Sequence, residues 1–99
     1  MKFLVLLTPA AGRDPAEFKP YAVAEMQAVW HDYKAGALRE IYFSPSPVIV
    51  SVIYEISARD ELETLVARLP MVKAGLLSVQ IIEMGPMHSF EVLFASTAA

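Results

Sequence analysis

The sequence has little of what several protein classes require. It contains no cysteine among its 99 residues, which excludes a disulfide scaffold. The longest uninterrupted apolar run, Phe3 to Leu7, is far shorter than the ~20 residues that span a membrane. Eight basic and eleven acidic residues give a net charge of −3, which disfavours nucleic-acid binding. We therefore expect neither a membrane nor a nucleic acid as a partner.

Hydrophobic residues, by contrast, are abundant. They make up 56% of the chain, against about 45–50% in an average globular domain, while charged residues make up only 19%. A chain of this length fits one domain, and small domains have much surface relative to their volume. Self-association is the simplest way to bury the excess. We expect a single domain over residues 1–99, with 87–99 as a C-terminal arm, and a cytoplasmic location by default.

Turn residues and hydrophobic periodicity predict the order β-α-β-β-α-β. A capping box over Asp14–Glu17 precedes the first helix, and Gly36 ends it. Ser57 with Asp60 predicts a second capping box, and Pro70 the end of that second helix. The predicted strands cover 2–8, 37–43, 48–55 and 76–84; the helices cover 20–35 and 57–69; and the tail 87–95 has strand character, with 96–99 frayed.

Side-chain patterns suggest which faces are buried. In the first helix, Ala22, Met26, Val29 and Tyr33 recur at helical spacing, and Met26 and Trp30 are interpreted as core. The second helix has an inward stripe of leucine and valine between residues 62 and 69. Strict alternation in the second strand would place Leu38, Glu40 and Tyr42 on one face, and Arg39, Ile41 and Phe43 on the other.

This order predicts an α+β, ferredoxin-like fold with an antiparallel sheet and both helices on one face. The first and third strands are apolar on both sides, over 3–7 and 48–53. Two helices cover only one face of a sheet, so something else must bury the other. A second copy of the sheet would do so, forming a dimeric α/β barrel. The alternative is that the tail folds back over that face.

The chain resembles the muconolactone isomerase family of the dimeric α/β-barrel superfamily. The resemblance covers nearly the whole chain and rests on residues at the ends of the elements: Asp14-Pro15-Ala16, Gly36, Arg39, Leu69-Pro70 and Met71. It implies a homodimeric barrel, sometimes assembled into a decamer. It also implies a cofactor-free proton shift on a small unsaturated lactone that carries a carboxylate. Where the family has a histidine after the matching arginine, this chain has Glu40.

The residues themselves point to chemistry without a cofactor. No glycine-rich phosphate loop links a strand to a helix, and no serine lies in a nucleophile elbow. His31 and His88 are far apart, so no metal-binding motif is present. We expect no cofactor and no metal.

A proton shift next to a carbonyl needs a base and a group that stabilises the enolate. Arg39 is the candidate for holding a substrate carboxylate, unless it only reaches solvent from a sheet edge. Glu40 and His31 are the catalytic candidates. Glu40 is otherwise a solvated carboxylate at a sheet edge. His31 is otherwise a surface residue beside Gln27 and Lys34.

Polar residues inside apolar strands are candidates for binding a ligand. Buried polar groups need partners, so they line a cavity or bond one another or water. The candidate substrate-binding residues, besides Arg39, are Tyr42, Ser51, Tyr54, Ser78 and Gln80. The sequence thus predicts a small isomerase or lyase. The alternative is a non-catalytic dimeric barrel that binds a small apolar ligand or acts as an oligomerisation module.

Overall fold

The fold is described from a computed structural model, over residues 1–95. Four strands form one antiparallel sheet: β1 (Lys2–Pro9), β2 (Leu38–Pro45), β3 (Val48–Glu55) and β4 (Leu77–Met84). Their order across the sheet is β2-β3-β1-β4, with every neighbouring pair antiparallel. This is the predicted ferredoxin-like arrangement, with β2 and β4 at the two edges.

Three helices and several turns connect the strands. Two short 3₁₀ turns, Pro15–Glu17 and Lys19–Tyr21, lead into α1 (Ala22–Lys34). The second crossover contains α2 (Arg59–Ala67) and α3 (Pro70–Lys73). Among the described residues, no helix is long and apolar enough to cross a membrane.

The core lies between the sheet and the helices. Alternate residues of β1 point into it, and β3 contributes Val52 and Tyr54. The inward stripe of α2 is confirmed, since Leu62 and Val66 are buried together with Leu69. The cluster consists of Phe3, Val5, Leu7, Leu38, Val52, Tyr54, Leu62, Val66 and Leu69. Burying such side chains is worth roughly 1.5–3 kcal/mol each, so this layer is the main source of stability.

The orientation of α1 differs from the prediction. Met26 and Trp30 were expected in the core, but both are 57% exposed. The buried residues of α1 are instead Glu25 and Asp32, with exposures of 4% and 6%. Because Glu25 and Asp32 are seven residues apart, they share one helical face. The helix therefore buries carboxylates and exposes large apolar side chains.

The alternation predicted for β2 is interrupted by an irregularity. The pairing with β3 shifts between Leu38 and Glu40, as in a β-bulge. Leu38 pairs with the buried Tyr54, and Ile41 pairs with the buried Val52. Leu38 and Ile41 therefore both face the helices, although strict alternation would separate them.

The element ends confirm some predicted signals and correct others. Asp14 and Glu17 form the predicted capping box, and Gly36 follows α1 with a φ of 87°. The second capping box is wrong: Ala58 is the N-cap of α2, and the Ser57 hydroxyl donates to the Glu61 carboxylate instead. Pro70 does not end α2 but begins α3, where its missing N–H is tolerated.

The C-terminal segment forms an arm and not a fifth strand. Residues His88–Glu91 form a 3₁₀ turn that leads into a helical turn, Val92–Ala95 (α4). Its apolar side chains are 65–71% exposed, so the arm does not cover the open face of its own sheet. The Cα radius of gyration, 17.0 Å, exceeds the ~13 Å of a compact chain of this length. The frayed end predicted for 96–99 lies outside the described residues.

Candidate functional site

The buried face of α1 carries the first element of the site. Glu25 points towards α3, and its Oε1 accepts a 2.8 Å hydrogen bond from the backbone N–H of Met71. Burial raises the pKa of Glu25, and the hydrogen bond from Met71 opposes this effect only in part. A carboxyl group in such a setting is held closer to the pH range in which it can exchange protons.

Tyr54 reaches the same region from β3. Its side chain is fully buried, and its hydroxyl has no hydrogen-bond partner among the described residues. Burial raises the pKa of Tyr54 above its usual range, and the charges of Asp32 and Glu25 raise it further. We call Glu25, Asp32 and Tyr54 the acidic cluster. A buried phenol without a partner beside two carboxylates is costly for folding, which is typical of groups kept for function.

Asp32 also lines a crevice between α1 and α2. This crevice has a volume of about 140 Å³. A cavity of about 150 Å³ holds benzene, so the crevice matches one small ring. Two of its polar lining residues, His31 and Asp32, lie side by side, with Nδ1 of His31 3.5 Å from Oδ1 of Asp32. The residues that line it are Ala28, His31, Asp32, Leu65, Arg68 and Leu69.

The crevice combines the groups that a proton shift requires. A carboxylate and an imidazole, as in Asp32 and His31, are groups that can accept a proton, and the Arg68 guanidinium carries a permanent positive charge that can stabilise an enolate or a carboxylate. Ala28, Leu65 and Leu69 supply apolar walls. Among residues 1–95, no group of three or more His, Cys, Asp or Glu side chains is placed to hold a metal ion.

A second concavity, the α1 groove, lies between α1 and β2. It is open, has a volume of about 500 Å³, and is almost entirely apolar. The rings of Trp30 and Tyr33 stack beside it with their centroids 5.4 Å apart. Its lining residues are Met26, Val29, Trp30, Tyr33, Leu38 and Ile41.

Most of the predicted site residues lie elsewhere, on the open face of the sheet. Tyr42 pairs with Ser51, Ser51 with Leu6, and Leu6 with Gln80, in one row across the four strands. The Tyr42 hydroxyl donates a 2.6 Å hydrogen bond to Oε1 of Glu40, and this bond raises the pKa of Tyr42. The predicted residues on this face are Glu40, Tyr42, Ser51, Ser78 and Gln80.

Arg39 is at the irregular start of β2. Its Nε donates a 2.7 Å hydrogen bond to the carbonyl oxygen of Gly36, and the residue is exposed. Arg39 therefore anchors the turn between α1 and β2. It does not line the crevice.

Of the eight predicted site residues, the structure brings His31 and Tyr54 to the region of Asp32. The sequence reasoning missed Glu25, Asp32 and Arg68. A usable signal was present: Glu25 and Asp32 are separated by seven residues, with the small Ala28 on the same face. The larger apolar residues of α1 also recur at helical spacing, and the prediction placed those residues in the core instead.

Comparison with known proteins identifies solved structures with a similar fold. No protein-family model matches the sequence, and no curated protein matches it. Among solved structures, the chain is similar to 5-chloro-2-hydroxyhydroquinone dehydrochlorinase from Burkholderia phenoliruptrix, in complex with 2,5-dihydroxybenzoquinone. The TM-score is 0.71 at 18% identity, over 86% of this chain and 94% of that one. It is also similar to muconolactone isomerase, with a TM-score of 0.73 at 15% identity, over 90% and 93% of the two chains.

These matches confirm the predicted fold. Both neighbours are covered almost completely by this single chain, so the similarity concerns the whole fold and is not limited to a shared motif. At such low identity the likeness concerns the fold, and one fold hosts many functions. The chain has a ferredoxin-like fold that is similar to the fold of muconolactone isomerase.

Proposed function

We propose that this chain is the subunit of a cofactor-independent isomerase or lyase that moves a proton on a small unsaturated lactone or a related carboxylated compound. The observation that carries the proposal is the crevice between α1 and α2. There Asp32, paired with His31, lines the same space as Arg68. The two structural neighbours support it, since one is named for an isomerisation and the other for a dehydrochlorination.

In the proposed reaction, Asp32 or His31 removes a proton from the carbon next to the substrate carbonyl. The electron pair moves onto the carbonyl oxygen, and the Arg68 guanidinium stabilises the resulting enolate. Isomerisation is completed when the same acid returns the proton to a different carbon of the conjugated system. In a lyase reaction, the enolate instead expels a leaving group. Neither reaction consumes an oxidant or a reductant.

The acidic cluster lies next to this site through Asp32, which belongs to both. The charges of Asp32 and Glu25 act on the Tyr54 phenol, so this buried phenol is electrostatically coupled to a crevice residue. Arg39 and Glu40 remain predicted contributors. Since Arg39 and Glu40 lie outside the crevice, they would have to act in a second pocket.

A second candidate function is supported by the α1 groove. Its lining is almost wholly apolar and its volume is about 500 Å³, within the range of small-molecule sites. A non-catalytic barrel that holds an apolar ligand would use this groove. In that case the groups of the crevice would have no role in binding.

We also propose that the chain is a homodimer in which two open sheet faces pack together. The centre of that face is apolar, with Leu4, Leu6, Ile53 and Ile82 in adjacent rows. In such a barrel the polar residues Tyr42, Ser51, Ser78 and Gln80 would lie in the interface. A higher oligomer would then involve the arm.

The experiment combines ligand screening with two variants. Small lactones and aromatic acids are screened by thermal shift, because a ligand that binds only the folded state raises Tm. Compounds that bind are then incubated in D₂O, and proton exchange at carbon is followed by NMR. We expect exchange with the wild-type protein, and a loss of at least 100-fold with Asp32→Asn, since general-base catalysis contributes about 10²–10⁴-fold.

Arg68→Met is the second variant, and Arg39→Met is its matched control outside the crevice. We expect Arg68→Met to weaken binding by about 10–100-fold, the value of a charge-assisted hydrogen bond. Exchange that is unchanged in Asp32→Asn would refute the proposed chemistry. Thermal shifts that disappear with Trp30→Ala but persist with Arg68→Met would favour the apolar-ligand function.

A further inference from the structure

The helix α1 presents an apolar stripe to the outside of its own domain. Val23 is 71% exposed, Met26 and Trp30 are each 57% exposed, and Tyr33 is 50% exposed. A surface helix normally turns such a stripe towards the core, but the buried residues of α1 are Glu25 and Asp32. Contiguous exposed apolar patches of this kind mark sites of interaction.

The stripe forms one wall of the α1 groove, and β2 forms the other. Leu38 and Ile41 provide the floor on the β2 side because the irregularity in β2 turns both towards α1. An apolar groove beside a helix is the kind of surface that receives a short amphipathic helix. The open shape and the apolar lining of the groove fit an apolar helical turn.

The arm of this protein has these properties. It consists of two helical turns. Met87 directly precedes the first turn, Phe90 lies in it and Leu93 lies in the second, and this three-residue spacing places them on one side. Their exposures are 65%, 66% and 68%, so the arm leaves this side uncovered on its own domain. His88 and Glu91 lie at other positions around the turns.

The arm begins at the sheet edge opposite to the groove of its own chain. It follows Met84, the last residue of β4, and β4 forms the sheet edge opposite to β2. Three strand spacings separate the two edges, which is about 14 Å. The chain is 63 Å in its longest dimension, and the apolar side chains of the arm are 65–71% exposed, so the arm is not packed against its own domain. A second copy, carrying the same groove, is therefore the occupant that the geometry favours.

We propose that the arm of one copy docks its Met87, Phe90 and Leu93 side into the α1 groove of a second copy. In a two-fold dimer the exchange is reciprocal, so each groove is closed by the arm of the partner. The inference deepens the homodimer proposed above by naming a second contact surface, and it does not depend on the catalytic proposal. It also predicts that the large apolar groove is enclosed only in the assembled protein.

Trp30 reports on this contact directly, because it is the only tryptophan of the chain and lines the groove. We expect wild-type protein to show Trp30 emission at shorter wavelength, and weaker quenching by acrylamide, than a chain truncated after Pro86. Leu93→Asp should reproduce the effect of truncation in the full-length chain. Ser89→Asp adds the same charge at another position of the arm and should leave the emission unchanged.

Mixing two variants identifies whose arm covers Trp30. One variant is full-length Trp30→Phe, which has the arm but no tryptophan, and the other is the truncated chain, which has Trp30 but no arm. After the two are unfolded and refolded together, we expect the emission of Trp30 to shift to shorter wavelength, relative to the truncated chain refolded alone. Full-length Trp30→Phe with Leu93→Asp serves as the control and should give no shift.

The outcomes distinguish the docking of the arm on a second copy from the open-face dimer proposed above. Shielding in the wild type but not in the mixture would mean that each arm covers its own groove, and would overturn the proposal. Emission that is the same in wild type and Leu93→Asp would overturn it as well. If the truncated chain does not refold, Trp30-containing Leu93→Asp replaces it in the mixture. Sedimentation of the truncated chain tests the open-face dimer separately.

Discussion

Glu25 and Met71 are 46 residues apart in sequence but joined by a 2.8 Å hydrogen bond between the Glu25 Oε1 and the Met71 backbone N–H. Met71 lies in the first turn of α3, where backbone N–H groups have no partner within the helix. The Glu25 carboxyl supplies this partner from α1. The bond therefore ties the first crossover of the fold to the second.

We predict that Glu25→Ala lowers the free energy of unfolding by about 1–3 kcal/mol, because it leaves a partly buried N–H without a partner. Glu25→Gln retains an acceptor oxygen and should cost less. Urea denaturation at neutral pH measures both values. Equal losses in the two variants would show that the hydrogen bond to Met71 is not what Glu25 contributes.

The raised pKa of Glu25 also predicts a pH dependence of stability. A carboxyl whose pKa is higher in the folded than in the unfolded state binds its proton more tightly in the folded state. Its contribution is complete below the ordinary value of 4.5 and is lost as the pH rises through the folded-state pKa. We expect wild-type protein to lose stability over this interval relative to Glu25→Gln. Parallel stability curves for wild type and variant would contradict the assignment.

Tyr54→Phe tests the cost of a buried hydroxyl. The Tyr54 hydroxyl is desolvated without a hydrogen-bond partner among the described residues, so its removal should stabilise the fold by about 1 kcal/mol. If the acidic cluster serves the proposed reaction, the same variant should turn over substrate more slowly. Thermal denaturation and the exchange assay measure the two effects. A variant that is less stable than wild type would mean that the hydroxyl has a structural role.

The fold was more predictable than the site, because turn residues and apolar runs determine the order of elements, whereas the site depends on which side of each element faces the core. The order of elements follows from turn residues and apolar runs, and Gly36 and Asp14 are in the positions expected of them. The orientation of α1 was not predictable in this way. Hydrophobic periodicity assumes that Met26 and Trp30 face the core of the same chain, and this assumption fails for α1, where both side chains are 57% exposed.

The remaining errors have local causes. One irregular residue in β2 is enough to place Leu38 and Ile41 on the same face, and no composition rule reveals where such a shift occurs. The segment Val92–Ala95 has apolar residues that fit a strand as well as a helix, so its sequence does not distinguish between the two. Arg68 lines the crevice from the C-cap of α2, and no motif in the sequence marks it as a lining residue.

Leu6→Glu tests the open-face dimer. Leu6 lies in the central strand β1, between Ser51 and Gln80, on the face away from the helices. A glutamate there would place like charges close together at a two-fold interface, so we expect the variant to sediment as a monomer. Thr64→Glu, on the exposed surface of α2, is the control and should sediment like the wild type. A Leu6→Glu variant with wild-type mass would exclude this face as the interface.

Arg39 and Arg68 distinguish a structural arginine from a functional one. Arg39 holds the Gly36 carbonyl at 2.7 Å in the turn after α1, so Arg39→Met should lower the free energy of unfolding by about 0.5–1.5 kcal/mol and leave binding in the crevice unchanged. Arg68 is exposed beside the crevice, so Arg68→Met should change stability by no more than about 0.5 kcal/mol but weaken ligand binding. Chemical denaturation and ligand titration of both variants give four values. If Arg39→Met abolished binding and Arg68→Met did not, the substrate site would belong near β2, as the sequence first suggested.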